Sequence, residues 1–112
     1  GLAYNRDLEG ARRQQTQGWQ MTLKTTFSGS AAGVIGITFS DRDGKPLSDL
    51  NVKVFAVRPT REGYDRKFEA IAMGEGAYQS AFTLPLQGVW DLRVVARRGE
   101  DDFQRVERIV TP

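Results

Sequence analysis

The sequence contains no histidine and no cysteine among its 112 residues. Without imidazole or thiol groups it has no Ser-His-Asp or Cys-His catalysis, no disulfide and no zinc site of the usual kind. Copper would find only the two thioethers of Met21 and Met73. No stretch approaches the roughly 18 consecutive apolar residues of a membrane-spanning helix. We therefore expect a protein that is not an enzyme and that holds no cofactor and no resident metal.

An excess of charge of one sign is also missing. The 16 basic and 14 acidic side chains leave a net charge of +2, and the basic residues are scattered. Such a pattern is typical of a solvated surface, so we expect no nucleic-acid partner. The carboxylate pairs Asp41/Asp43 and Asp101/Asp102 lie in predicted turns, where aspartate bonds the local backbone. This role is favoured over a calcium site, because the full spacing of a calcium loop is absent.

The chain is long enough for one domain with a self-sufficient core. Residues 2–17 place Tyr4, Leu8 and Ala11 at helical spacings, which predicts a short, weakly amphipathic helix. Gly18 is placed to end that helix. We therefore divide the chain into an N-terminal helical arm, residues 1–18, and a β domain, residues 19–112.

From Trp19 onward the apolar residues recur with the period of two that indicates strands. Seven runs follow one another, separated by turn signals, at residues 19–27, 35–39, 51–58, 66–73, 77–84, 89–97 and 103–110. None of the connections between them is long enough to hold a crossover helix. The sequence thus predicts a mainly β fold, an immunoglobulin-like antiparallel β-sandwich of about seven strands with a short N-terminal α-helix.

The most strongly patterned stretch is residues 88–104, which predicts a β-hairpin turning at Gly99. The last run, after that turn, lacks a clean alternation, so we expect it to be bulged or at a sheet edge. An edge strand could accept an added strand from a partner protein.

Large apolar residues on the inward side of these runs form the predicted core. Its anchors are Trp19, Phe39, Phe82, Trp90 and Leu92. Trp90 shares its face with Leu92, which favours a core tryptophan over a ligand platform. Met21 shares its face with Trp19 and is expected in the core, whereas Met73, beside a glycine turn, remains open to a metal contact.

A candidate binding surface lies around the end of the third run. The long polar connection there begins with Arg58 and Pro59, and such loops often carry recognition, although a plain surface turn is the simpler interpretation. Phe55 and Val57, on the outer side of the run, need cover from the helical arm or from a partner protein. The predicted partner-binding residues are Arg58, Pro59, Thr60, Arg61, Phe55 and Val57.

Three segments resemble the FixH family, also called CcoH, and the likeness extends over essentially the whole chain. They are the Tyr4-Asn5 helix running into Gly18-Trp19, the Arg58-Pro59-Thr60 turn, and the strand Gly88-Val89-Trp90-Asp91-Leu92. The resemblance implies a protein of the bacterial cytoplasmic membrane with one N-terminal transmembrane helix and a periplasmic domain. The helical arm would then continue a membrane anchor that this chain lacks.

The resemblance also implies a role in assembling the cbb-type cytochrome c oxidase, with links to copper homeostasis and nitrogen fixation. The expected partners are oxidase subunits, a copper-transporting P-type ATPase, or both. Because no copper-ligand motif is present, a docking role is favoured. Two alternatives stay open: a weak periplasmic copper carrier using Met73, and a β-sandwich module of a larger surface protein that binds carbohydrate.

Overall fold

The computed structural model describes residues 17–60 and 63–112, which form seven antiparallel strands. They are β1 (Gln20–Phe27), β2 (Ala32–Ser40), β3 (Asn51–Val57), β4 (Arg66–Gly74), β5 (Ala77–Thr83), β6 (Val89–Arg98) and β7 (Asp101–Val110). The predicted mainly β fold is therefore confirmed. The helical arm falls almost entirely outside the described residues, so the domain boundary at residue 18 stays a prediction. Within those described ranges, no helix is both long and apolar enough to cross a bilayer.

The strands form one curled sheet in the order β1-β2-β5-β4-β3-β6-β7. Strand β4 is shared, because Arg66–Ala70 pairs with β3 and the stretch from Ile71 to Gly74 pairs with β5. Neighbouring strands follow the order of a constant-type immunoglobulin domain. The predicted sandwich of two separate sheets is nevertheless not what is observed, because β4 joins both halves into one sheet. Periodicity alone does not reveal that a single strand changes neighbours halfway.

The two halves of the curled sheet face each other across one core. Phe39 on β2 contacts Phe103 on β7 edge to face, with ring centroids 5.5 Å apart, and contacts Tyr78 in the same way. Such arrangements are preferred by aromatic pairs and add to the free energy gained by burying them. The predicted anchors Trp19, Phe39, Phe82, Trp90 and Leu92 all lie in this core, as does Met21.

Two of the connections between strands have well-defined turn geometry. Asp41 Oδ1 accepts from the backbone N–H groups of Asp43 and Lys45, both at 2.9 Å, so Asp41 has the turn role expected from the sequence. The β4–β5 hairpin turns through Glu75 and Gly76, both at positive φ, as a two-residue turn of this type requires.

Strands β1 and β7 are the two edges of the sheet. Strand β7 pairs with β6 in unbroken register from Arg98–Asp101 to Val89–Val110, around a turn with Gly99 at φ 60°. The edge position predicted for the last run is therefore confirmed. Its irregular pattern arises from the exposure of an edge rather than from a bulge, and the bulge of this sheet lies in β4, between Ala72 and Gly74.

Candidate partner-binding face

The outer side of β3 carries two of the residues predicted to bind a partner. Val52, Val54 and Ala56 point into the core, so the alternation of the strand turns Phe55 and Val57 outward. Phe55 is half-buried and Val57 is exposed. Within the described part of the chain, the strand is therefore only partly covered on its outer side.

Strand register places Phe55 in a row that crosses four strands. Phe55 lies opposite Lys67 of β4 and Arg93 of β6, and Arg93 lies opposite Val106 of β7. We call these four residues the cross-strand row. Neighbouring strands are about 4.8 Å apart, so Lys67 and Arg93 are the residues next to Phe55 on the two adjacent strands, on the same side of the sheet.

In the described part of the chain, the two cations of the cross-strand row have no acidic partner. Among the described residues, neither Lys67 nor Arg93 forms an ion pair. Arg93 Nη2 donates instead to the amide oxygen of Gln104 at 2.6 Å. The row therefore combines apolar surface with unpaired positive charge, a combination suited to a protein surface carrying apolar and acidic groups.

The next row on the same side contains Val57, Asp91 and Arg108, aligned by register. Arg108 donates from Nε and Nη2 to the two oxygens of Asp91, at 2.9 and 3.2 Å. These hydrogen bonds lower the pKa of the Asp91 carboxyl and raise the pKa of Arg108. The planar, bidentate contact fixes the guanidinium on the surface of the sheet.

Arg58 is directed toward the core rather than away from the molecule. Its guanidinium lies over the ring of Trp90, 5.4 Å from the centroid, and donates to the backbone oxygen of Val89 at 3.2 Å. It also packs against Gly88, whose φ of 114° suits only glycine. Trp90 is fully buried and donates from Nε1 to the oxygen of Leu86. Arg58 thus closes one end of the core.

The structure describes two of the other three residues of the predicted turn. Pro59 and Thr60 are exposed, and Arg61 lies outside the described residues. The structure brings Phe55 and Val57 onto one surface with Lys67, Arg93, Val106 and Arg108, which the sequence had not singled out. Alternation along β6 does turn Arg93 outward, but no signal in the sequence gives the register that places it beside Phe55.

The two methionines do not share a site. Met21 is buried on the inner side of the sheet, whereas Met73 is 61% exposed at the bulge of β4. Met73 instead borders a shallow depression on the outer side of β1, β2 and β5, which Lys24, Thr38 and Gln79 also line. In the described part of the chain, no group of three or more acidic residues is placed to hold a metal ion.

The family model of FixH matches residues 1–110, nearly the whole chain. A search of curated proteins with this chain found no significant match. FixH is not known as a family of enzymes, and its members are typically membrane-associated. The match confirms the resemblance carried by the arm, the Arg58 turn and the Trp90 strand. The chain, with its seven-stranded curled sheet, therefore belongs to the FixH family.

Proposed function

We propose that this domain is a non-enzymatic assembly factor for a cbb-type cytochrome c oxidase. It acts in the periplasm by docking on oxidase subunits, on a copper-transporting P-type ATPase, or on both, and so links copper supply to the oxidase. A membrane anchor preceding the domain holds it at the bacterial cytoplasmic membrane. The observation that carries this proposal is the FixH match over residues 1–110.

The surface chemistry agrees with docking. The cross-strand row and the neighbouring Val57 present apolar side chains beside two cations without ion-pair partners in the described chain. Such a mixture is typical of the surface that a partner protein covers, because apolar contact contributes affinity while charge selects the partner. The predicted Pro59–Thr60 turn adjoins this surface at the end of β3 and is part of the proposed interface.

The experiment is capture from detergent-solubilised membranes, using the full-length protein with and without residues 19–112. We expect oxidase subunits or the copper ATPase to be enriched only when the domain is present. A copper chelator should leave that enrichment unchanged, because the docking surface contains no metal ligand. Equal capture by both forms would place recognition in the anchor and contradict the proposal.

A further inference from the structure

Among the residues that the structure describes, contacts along the open side of the edge strand β7 are confined to its first half. The side-chain amide of Gln17 donates to the backbone oxygen of Asp102 at 3.1 Å, and Arg105 Nη1 donates to the backbone oxygen of Met21 at 3.1 Å. These bonds hold the start of β1 against the start of β7. From Val106 to Val110, no described residue contributes a comparable bond along the open side. We call this second half of β7 the open edge.

Hydrogen-bond alternation shows which residues of the open edge are available. The backbone N–H of Thr111 donates to the oxygen of Gly88, across the β6–β7 ladder. In an antiparallel pair, residues that bond the neighbouring strand alternate with residues that point away from it. The backbone N–H and C=O groups of the odd-numbered residues of β7 therefore bond β6. Those of the even-numbered residues point away from β6, toward the open side of the strand. The bond from Gln17 to the oxygen of Asp102 agrees with this parity.

The open edge thus offers the N–H and C=O groups of Val106, Arg108 and Val110 to an added strand. The side chains of the same three residues lie on the outer side of the sheet. Val106 is 59% exposed and Val110 is 64% exposed, and the Arg108 side chain is 62% exposed. Exposed β-branched residues on an unpaired edge are what strand addition uses.

Arg108 retains donors for a second carboxylate. A guanidinium has five N–H donors, and the two contacts to Asp91 use one on Nε and one on Nη2. The Nη1 donors remain, and no other described residue bonds them. An acidic side chain directly opposite Arg108 on an added strand would lie about 5 Å away, within the reach of this group. Arg93 on the neighbouring strand adds further positive charge.

We propose that the open edge accepts an extended segment of a partner protein in which an acidic residue is flanked, at alternate positions, by two apolar residues. The acidic side chain contacts Arg108 and the apolar ones contact Val106 and Val110. This proposal adds a binding mode to the docking function and rests on it only for the identity of the partner.

A second copy of this chain fits the open edge less well than such a segment. The register that pairs the whole open edge with itself places two Arg108 side chains directly opposite each other. Shifting that register by one step toward the N-terminus places two Glu107 side chains opposite each other. Both arrangements bring like charges together, which destabilises a strand pair. The next register, with Val106 opposite Val106, pairs Val110 with Asp102, whose oxygen already accepts from Gln17.

The probe is the peptide Thr-Val-Thr-Glu-Thr-Val-Thr with acetylated and amidated ends. Its pattern reads the same in both directions, so the strand orientation need not be known. In a titration of the isotope-labelled full chain followed by NMR, we expect the amide signals of Val106, Arg108 and Val110 to shift. A matched peptide with lysine in place of glutamate should bind about tenfold more weakly or worse.

Variants of Val106 and Arg108 test separately the contributions of backbone hydrogen bonds and of charge to peptide binding. Val106→Pro removes an N–H that points away from β6, so the β6–β7 ladder is kept, and it should weaken binding of the glutamate peptide about tenfold. Val106→Thr keeps that N–H and should bind like the parent protein. Arg108→Glu should reverse the preference in favour of the lysine peptide, which remains informative if Val106→Pro does not fold.

Several results would overturn the proposal. These are equal binding of the two peptides, unchanged binding by Val106→Pro, and shifts that map to the depression beside Met73 instead of β7. Concentration-dependent shifts of the β7 amides without peptide would identify a second copy as the occupant. If the glutamate peptide does not bind but oxidase subunits or the copper ATPase are still captured from membranes, only the proposed strand addition is rejected. If the peptide binds but neither partner is captured, only the assembly function is rejected.

Discussion

At the residue scale, Arg58 has a packing role that the sequence did not predict. It was predicted to bind a partner, yet its guanidinium lies over Trp90 and bonds the oxygen of Val89. The stem and the charge both pack against the core, so a substitution at this position changes the stability of the domain as well as its surface. A loss of partner capture in Arg58→Glu would therefore not locate the interface by itself.

We expect Arg58→Ala to lower the free energy of unfolding by about 1 kcal/mol, since a cation over an indole is lost. Arg58→Lys should cost less, because the charge and most of the stem remain. The control is the exposed Arg66, whose hydrogen bond to a described residue is the one to the neighbouring Asp65 oxygen. Arg66→Ala should change stability by less than about 0.5 kcal/mol. Urea denaturation measures all three. Equal losses at both positions would contradict the packing role of Arg58.

Tyr78 is a buried ionisable residue whose pKa is shifted by folding. Its hydroxyl donates to the oxygen of Leu47 at 2.6 Å and accepts from the N–H of Leu50 at 3.0 Å. Burial raises the pKa of this phenol above its ordinary value of 10.0. As pH rises above 10, the phenol of the unfolded chain loses its proton before the phenol of the folded chain does. The free energy of unfolding therefore falls as pH rises through this range.

Tyr78→Phe removes both hydrogen bonds and the titration. At pH 7 the variant should be less stable by about 1 to 3 kcal/mol, because two buried backbone groups lose their partner. The difference between the two proteins should narrow above pH 10, where only the parent loses stability through this residue. Chemical denaturation at pH 7 and at several pH values above 10 tests this. A constant difference would mean that the phenol does not titrate differently on folding.

At the element scale, the β4–β5 hairpin depends on one glycine. Gly76 has a φ of 78°, its oxygen accepts from the N–H of Phe39 at 2.9 Å, and its N–H donates to Ser48. A Cβ there would lie 2.5 Å from the oxygen of Phe39. The turn is thus held tightly against the end of β2.

Gly76→Ala should cost at least about 1 to 3 kcal/mol from the backbone conformation alone, before the steric overlap with Phe39. Gly29→Ala is the matched control, because nothing lies within 4 Å of a Cβ at that position and its φ is not in the positive range. Its effect should stay within about 0.5 kcal/mol. Thermal unfolding of both variants gives the comparison, and similar midpoints would contradict it.

The parity of the β7 edge has its own test. Amide hydrogens of the odd-numbered Glu107 and Ile109 bond β6 and should exchange slowly with solvent. Those of the even-numbered Val106 and Arg108 point to the open side and should exchange fast. Hydrogen exchange followed by NMR resolves each amide. Uniform protection along β7 would show that something covers the open edge.

The alternation of apolar and polar residues along the chain was enough to predict most strands, but not which strands pair or in what register. Trp90 and Leu92 could be assigned to the core because each strand has a buried side, and Gly99 fixed the last hairpin. Register and strand order depend on contacts between distant segments, which one sequence does not contain. For that reason the sharing of β4 and the row joining Lys67 to Phe55 and Arg93 appeared only in the structure.

At the scale of the whole molecule, the curled sheet has a buried inner side and a solvent-exposed outer side. Its inner side is a continuous core that includes both tryptophans, and each tryptophan lies under an arginine, Arg58 over Trp90 and Arg98 over Trp19. Its outer side carries the cross-strand row and ends at the open edge of β7. This arrangement is consistent with the proposed docking function, because the exposed outer side is available to a partner while the inner side holds the fold together.

Docking through the cross-strand row is best tested by partner capture with charge-reversed full-length protein. The variants Lys67→Glu and Arg93→Glu change exposed residues on either side of Phe55, and Lys24→Glu makes the same change in charge on the other half of the sheet. We predict that the first two reduce recovery of oxidase subunits or the copper ATPase from solubilised membranes, while Lys24→Glu does not. Unchanged recovery with the first two, or loss with Lys24→Glu alone, would contradict docking through this surface.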